Sequence, residues 1–150
     1  MKYPKSIQTL IDHFSKLPSV GPKTAERYVF YLLTRQSDSL QAFAQAIAEL
    51  KEKTTVCKNC LAIAEANPCG ICSDQKRDHA ILCLVADTRD FLAIESTKQY
   101  NGLYFILGGT INTIEGVKPE QLNIKQLAAR LKQNSIKEII LAFNPDMEGE

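Results

Sequence analysis

Apolar residues follow two different rhythms along this chain, one in its first fifty positions and another after residue 80. Ile7, Leu10, Ile11, Phe14 and Leu17 recur at helical spacing, and the pattern stops at Pro18. A second stripe of Ala25, Val29, Leu32 and Leu33 follows Pro22, a residue well suited to a first helical turn. A third runs through Leu40, Phe43, Ala44, Ile47 and Leu50, with Asp38 or Ser39 as its expected cap. These stripes predict three helices. Residues 81–85 then form a continuous apolar run, as expected of a strand buried on both faces. A helical stretch over 87–98 carries Phe91, Leu92 and Ile94 inside, and 103–107 is a second strand ended by Gly108 and Gly109. A further helix is predicted over 119–134, with Leu122, Leu127 and Leu131 on one face, and a third strand over 138–143. Strand and helix in alternation predict an α/β layer with a parallel sheet. The sequence stops in a polar loop after the third strand, where a helix would return to cover the sheet, so a shortened form of something longer is expected.

Between the two halves lie Cys57-Lys-Asn-Cys60 and Cys69-Gly-Ile-Cys72, two C-x-x-C pairs with eight residues between them. Two intervening residues let both thiolates of a pair turn toward one ion at the ~2.3 Å zinc–sulfur distance, so the spacing predicts tetrahedral zinc. Pro68 and Gly70 fit a tight turn beside the second pair. Two disulfides, or four thiols that merely cluster, are the alternatives. Disulfides need an oxidising compartment, and the first twenty residues carry polar or charged residues throughout, without the apolar core run of a secretory signal. A four-sulfur site leaves no open position for substrate or water, so the expected role is structural. The segment, roughly 55–75, is too short for a core of its own and is expected to need its metal. The fifth cysteine, Cys83, sits in an apolar run and reads as a buried core thiol.

Composition adds less. An apolar share of 45% is ordinary for a globular chain, and no run approaches the ~20 apolar residues of a membrane span, which makes the cytoplasm the default address. The formal net charge of +1 hides an asymmetry: residues 1–36 hold six Lys/Arg against two Asp/Glu, the remainder twelve against fifteen. A basic head for a polyanion and a mildly acidic body would produce it, and so would plain solvated surface.

Two loops carry candidate chemistry. Leu17-Pro-Ser-Val-Gly-Pro-Lys-Thr-Ala25 joins the first two helices, and a tight turn opening into a helix offers backbone N–H groups and a helix dipole to a phosphate oxygen. Gly21 lies in the turn, Lys23 in the first helical turn, and Arg27 one turn later on the same face. Such contacts read backbone rather than bases, giving sequence-independent, salt-sensitive binding. An ordinary helical turn with solvated cations is the alternative. The second loop, Asn144-Pro-Asp-Met-Glu-Gly-Glu150, follows the third strand, where parallel sheets bind ligands. Asp146, Glu148 and Glu150 are either an oxygen-rich cradle for Mg²⁺ or a polar turn.

The first loop resembles the helix-hairpin-helix motif of non-specific DNA-binding proteins, with Ser19 where that motif usually has its first glycine. The second resembles the Asp-Pro-Asp-x-Glu-Gly-Glu segment of Toprim domains. In those domains a glutamate ends the first strand, whereas here Ala86 stands there with Asp87 next to it, and Asn144 replaces the first aspartate of the loop. Both changes speak against phosphoryl-transfer catalysis. The order of hairpin, four cysteines and Toprim-like region resembles the RecR family of bacterial recombination mediators. Arg89-Asp90-x-x-Ala93-Ile94-Glu95 and Tyr104-x-x-Leu107-Gly108 add to the likeness, which covers essentially all 150 residues.

The resemblance implies an α+β multidomain fold. It comprises a helix-hairpin-helix head over 1–54, a four-cysteine zinc finger over 55–78, and a Toprim parallel sheet over 79–150 that is incomplete at its C-terminus. It implies a non-enzymatic DNA-repair protein that forms rings or clamps as a homo-oligomer, works with RecO and separately with RecF, and helps load RecA at single-stranded gaps. Lys23, Arg27 and Gly21 would meet DNA, zinc at Cys57, Cys60, Cys69 and Cys72 would fix head against body, and Asp146, Glu148 and Glu150 would recruit a basic partner such as RecO. The rivals are a Mg²⁺-dependent Toprim nuclease, primase or topoisomerase fragment, and a zinc-stabilised scaffold that touches only protein.

Overall fold

The computed structural model of the chain describes residues 3–111, 116–133 and 135–144. The polypeptide divides into two compact units, Met1–Leu50 and Lys51–Glu150.

The first unit contains helices α1 (Lys5–Phe14), α2 (Pro22–Leu33) and α3 (Ser37–Glu49). Ile11 of α1 packs against Ala25 and Val29 of α2, with Ile7, Phe14 and Val20 at the margins. The three predicted helices are present, but α1 ends three residues short of Leu17: the Ser15 amide and hydroxyl both bond the Ile11 carbonyl, and a turn follows. Neither expected cap serves α3. Gln36 is its N-cap without a side-chain bond, and Asp38 lies inside the first turn, where its charge suits the helix dipole. No residue of α3 is buried, and Phe43, Ile47 and Leu50 of its apolar stripe are exposed.

The second unit holds a short antiparallel hairpin, β1 (Thr55–Val56) and β2 (Ile63–Ala64), a single helical turn α4 (Gly70–Ser73), and the α/β layer. That layer is β3 (Asp78–Val85), α5 (Thr88–Ser96), β4 (Gly102–Ile106), a 3₁₀ turn (Pro119–Gln121), α6 (Ile124–Gln133) and β5 (Glu138–Ala142). The sheet is parallel in the order β4-β3-β5, with Cys83 opposite Tyr104 on one side and Ile140 on the other. Side chains alternate as the pleat requires. Cys83, Val85, Tyr104 and Ile106 face Phe91 of α5 and the cysteine segment, while Leu82, Leu84, Leu103 and Phe105 face Leu127 and Leu131 of α6. β3 and β4 are therefore covered on both faces. Among the described residues, the exposed apolar side chains of the sheet are Ile139, Ile140 and Leu141 of β5.

The helix predicted over 119–134 breaks into two pieces at Leu122, which is extended (φ −90°, ψ 161°). Asn123 explains the break. Its amide donates to the Leu107 carbonyl and its side chain to the Ile106 carbonyl, so it is held to the end of β4 rather than spent inside a helix. Arg130 of α6 is buried and binds two carbonyls through Nη1, that of Asn59 at 2.6 Å and that of Tyr104 at 2.8 Å. Arg77 donates to the Gly102 carbonyl at 3.1 Å and pairs with Glu95 of α5.

Two substitutions test this packing. A Cβ at Gly102 would lie 2.9 Å from the Ile81 carbonyl and collide with the Tyr100 ring, so Gly102→Ala is expected to destabilise by about 1–3 kcal/mol in urea unfolding. Arg130→Met would take the charged donor from the buried Tyr104 carbonyl and the part-buried Asn59 carbonyl, and a loss of about 2–3 kcal/mol with an unchanged denaturant slope is expected.

Candidate metal centre and nucleic-acid interface

The four predicted cysteines converge. One Sγ from each of Cys57, Cys60, Cys69 and Cys72 lies within 4.8 Å of the others, in a group able to hold a metal ion. Sulfurs placed tetrahedrally at the ~2.3 Å zinc–sulfur distance stand about 3.8 Å apart, so the cluster has the size the ion requires. The Cys60 and Cys69 sulfurs are 3.6 Å apart, and all five cysteines are free thiols. Cys57, Cys60 and Cys69 are buried and Cys72 is partly so.

Local structure builds the site from two turns. After β1, the Leu61 amide closes on the Cys57 carbonyl at 2.8 Å, with Leu61 in the left-handed region (φ 63°), and the Cys57 amide bonds Ala62 across the hairpin. The second pair frames α4: Cys69 is its N-cap, and its sulfur accepts from the Cys72 amide at 3.5 Å. The Cys69 amide donates to the Cys57 sulfur at 3.4 Å. Backbone N–H groups aimed at sulfur favour thiolate, the form that binds metal. Gly70 is not sterically required, because a Cβ there would meet nothing within 4 Å. The Cys60 thiol is drawn down to about 5, chiefly by its hydrogen bond from Cys72, and Cys72 is pushed up by giving that bond. Crowded thiols thus share their protons, and a cation that replaces those protons removes the conflict.

Cys83 lies outside the four-sulfur group, packed among Val85, Tyr104 and Ile106, and burial raises its pKa. The cysteine segment shares that core instead of forming a separate one. Its Cys60 carbonyl accepts from the Ile106 amide of β4 at 2.8 Å, and its Asn59 carbonyl from Arg130. Arg130 gave no sign of this in the sequence, where a cation on an amphipathic helix reads as solvated surface.

In the first unit Gly21 is the N-cap of α2, Pro22 opens the helix, and Lys23 and Arg27 are exposed one turn apart. Ser19 has φ 63°, which accounts for the glycine common at this place in such hairpins. A Cβ at Gly21 would meet nothing within 4 Å, so this end of the helix is open to a ligand.

Ala86 directly follows β3, and Asp87 is the N-cap of α5. The Asp87 carboxylate accepts from the Arg89 amide at 2.7 Å and the Asp90 amide at 3.1 Å, and Asp90 returns the bond in a capping box. The hydrogen bond from the Arg89 side chain holds the Asp87 carboxyl below its ordinary range. Arg89, Asp90 and Glu95 of the sequence motif are all engaged in such structural bonds. Asn144 is exposed just beyond β5, while Asp146, Glu148 and Glu150 lie outside the described residues. Among the described residues no helix is long and apolar enough to cross a membrane.

Residues 7–51 match the model of a family described as RecR, helix-hairpin-helix, and residues 80–150 match that of the Toprim domain. A protein named Recombination protein RecR from Bifidobacterium adolescentis is 46% identical over all 150 residues, which cover 75% of that relative. Proteins of the same name from Staphylococcus saprophyticus and Staphylococcus aureus are 45% identical over the full chain and 76% of their own length. Identity at this level over both units, with the hairpin and the four-sulfur cluster in place, means that the chain belongs to the RecR family.

Proposed function

We propose that this chain acts in DNA recombination and repair as a non-catalytic, DNA-binding mediator. It binds DNA without regard to sequence, closes into a ring or clamp with further copies of itself, and acts with RecF and RecO to load RecA at single-stranded gaps. Its place of action is the cytoplasm. The observation that carries the reading is the α1–α2 hairpin, whose open helix N-terminus lies beside exposed Lys23 and Arg27 in a cationic stretch of chain. Single phosphate contacts of this kind are weak, and a closed ring multiplies them.

Zinc is the ion proposed for Cys57, Cys60, Cys69 and Cys72, because four thiolates at this spacing match its tetrahedral preference. With its coordination filled by sulfur, the ion supplies rigidity and no reactive position. The acidic loop of Asp146, Glu148 and Glu150 is proposed to dock a basic surface of RecO. Catalysis is disfavoured by Ala86 at the end of β3, by the use of Asp87 as a helix cap, and by Asn144 after β5. Purified protein is accordingly expected to neither cleave nor relax plasmid DNA with Mg²⁺. Activity of that kind would support the nuclease or topoisomerase reading instead.

Two measurements test the positive claims. Lys23→Ala combined with Arg27→Ala should weaken DNA binding and flatten its salt dependence by about 0.7–0.9 log units per lost phosphate contact. An unchanged slope would remove the hairpin from the interface. Elemental analysis should find one zinc per chain. Stripping it with a chelator should release hydrogen-exchange protection at the Ile106 amide, which bonds Cys60, while amides of α1 and α2 keep theirs. Full protection at Ile106 after removal would contradict a structural role for the ion.

A further inference from the structure

Helix α2 carries more than the two cations at its start. Lys23, Arg27 and Tyr31 recur every fourth residue of α2, and at 1.5 Å rise per residue they succeed one another about 6 Å apart along one flank, with Arg35 in the turn just beyond the helix end. All four are exposed. The flank runs into a shallow cleft of ≈ 500 Å³ lined by Tyr31, Leu32, Arg35, Ser39, Leu40 and Phe43, between the end of α2 and the beginning of α3. Two aromatic side chains lie open there, Tyr31 at 55% and Phe43 at 46% exposure. The Arg35 guanidinium stands 4.1 Å from the centre of the Tyr31 ring and donates to its hydroxyl. Among the described residues no carboxylate lines the cleft.

Exposed rings beside a guanidinium, at the end of a row of cations, fit one kind of occupant well. Nucleobases of any identity stack on aromatic faces, and arginine adds a cation–π contact or a hydrogen bond to the base edge. A paired base is already stacked within its duplex and cannot enter, whereas a base in a single strand can be splayed out. We propose that the cleft takes an unstacked nucleobase of single-stranded DNA, at the end of the phosphate track that Lys23 and Arg27 begin. This rests on the phosphate-binding role proposed for the hairpin and adds to it a reason to prefer single strands.

The test uses the full, zinc-loaded chain and three probes: a labelled oligothymidylate, an abasic strand of equal length, and a duplex. Tyr31→Ala is expected to weaken oligothymidylate binding by about 5- to 100-fold, the range of one lost base stack, with the salt slope unchanged. Tyr31→Phe should stay close to the parent, and duplex affinity should not respond to either change. The parent should bind the abasic strand more weakly than oligothymidylate by a similar factor, and Tyr31→Ala should not tell the two apart. Because the chain has no tryptophan, Tyr31→Trp supplies a single reporter, and oligothymidylate should quench it where the abasic strand does not. Equal affinity of the parent for the abasic strand and oligothymidylate overturns the proposal, as does equal loss of duplex and single strand in Tyr31→Ala. If Lys23→Ala with Arg27→Ala flattens the salt slope while bases make no difference, the cleft alone is wrong. If that pair of changes leaves the slope untouched, the hairpin reading has failed. A parent chain that binds no DNA sinks both.

Discussion

A segment of about twenty residues has too little apolar surface to fold by its own burial, and the second unit is arranged around that constraint. The cysteine segment borrows its interior from the sheet. Its sulfurs sit in one core with Cys83, Val85, Tyr104 and Ile106, and its Cys60 and Asn59 carbonyls are held by the Ile106 amide and by Arg130. The arrangement also serves the sheet. Among the described residues β4 has a strand partner only in β3, and the cysteine turn occupies part of its other flank, where the Ile106 amide bonds the Cys60 carbonyl. Arg130 reaches across from α6 to join the Asn59 and Tyr104 carbonyls, so cysteine turn, edge strand and covering helix are fixed together.

The first unit relies on different physics. Its shared core is small, among the described residues Ile11, Ala25 and Val29 from two helices, and its geometry depends on the turn between them. Ser19 adopts a left-handed conformation there, and Gly21 and Pro22 start the next helix at once. The result leaves Lys23 and Arg27 exposed while Val20 packs inward against the helix pair.

What the sequence disclosed and what it concealed divide along physical lines. Periodicity exposed every long element, because burial of one face or two leaves a pattern in the residues themselves. The four thiols and the separate place of Cys83 were legible from spacing and from apolar neighbours. Boundaries were not: α1 stops where Ser15 satisfies the Ile11 carbonyl twice, and the 119–134 helix breaks where Asn123 is tied to the end of β4. Both are decided by particular hydrogen bonds, one of them long-range, which no local pattern encodes. Arg130 was hidden for the same reason, since a buried cation becomes recognisable only when its two carbonyl partners arrive from distant segments. Asp87 shows the reverse case. Noted in the sequence only as the acid next to Ala86, it is a helix cap, a role that the Asp-x-x-Asp spacing with Asp90 already carried.

One flank of the sheet has a colloidal consequence. β5 pairs only with β3 among the described residues, so the backbone groups along its far side meet no strand, and Ile139, Ile140 and Leu141 lie open beside them. A bare apolar ribbon of this sort is a template for pairing with another molecule. The charges of Lys137 and Glu138 stand at its beginning, but a net charge of +1 gives whole particles little mutual repulsion. Wherever that flank stays open, a concentrated solution favours pairing between molecules along it.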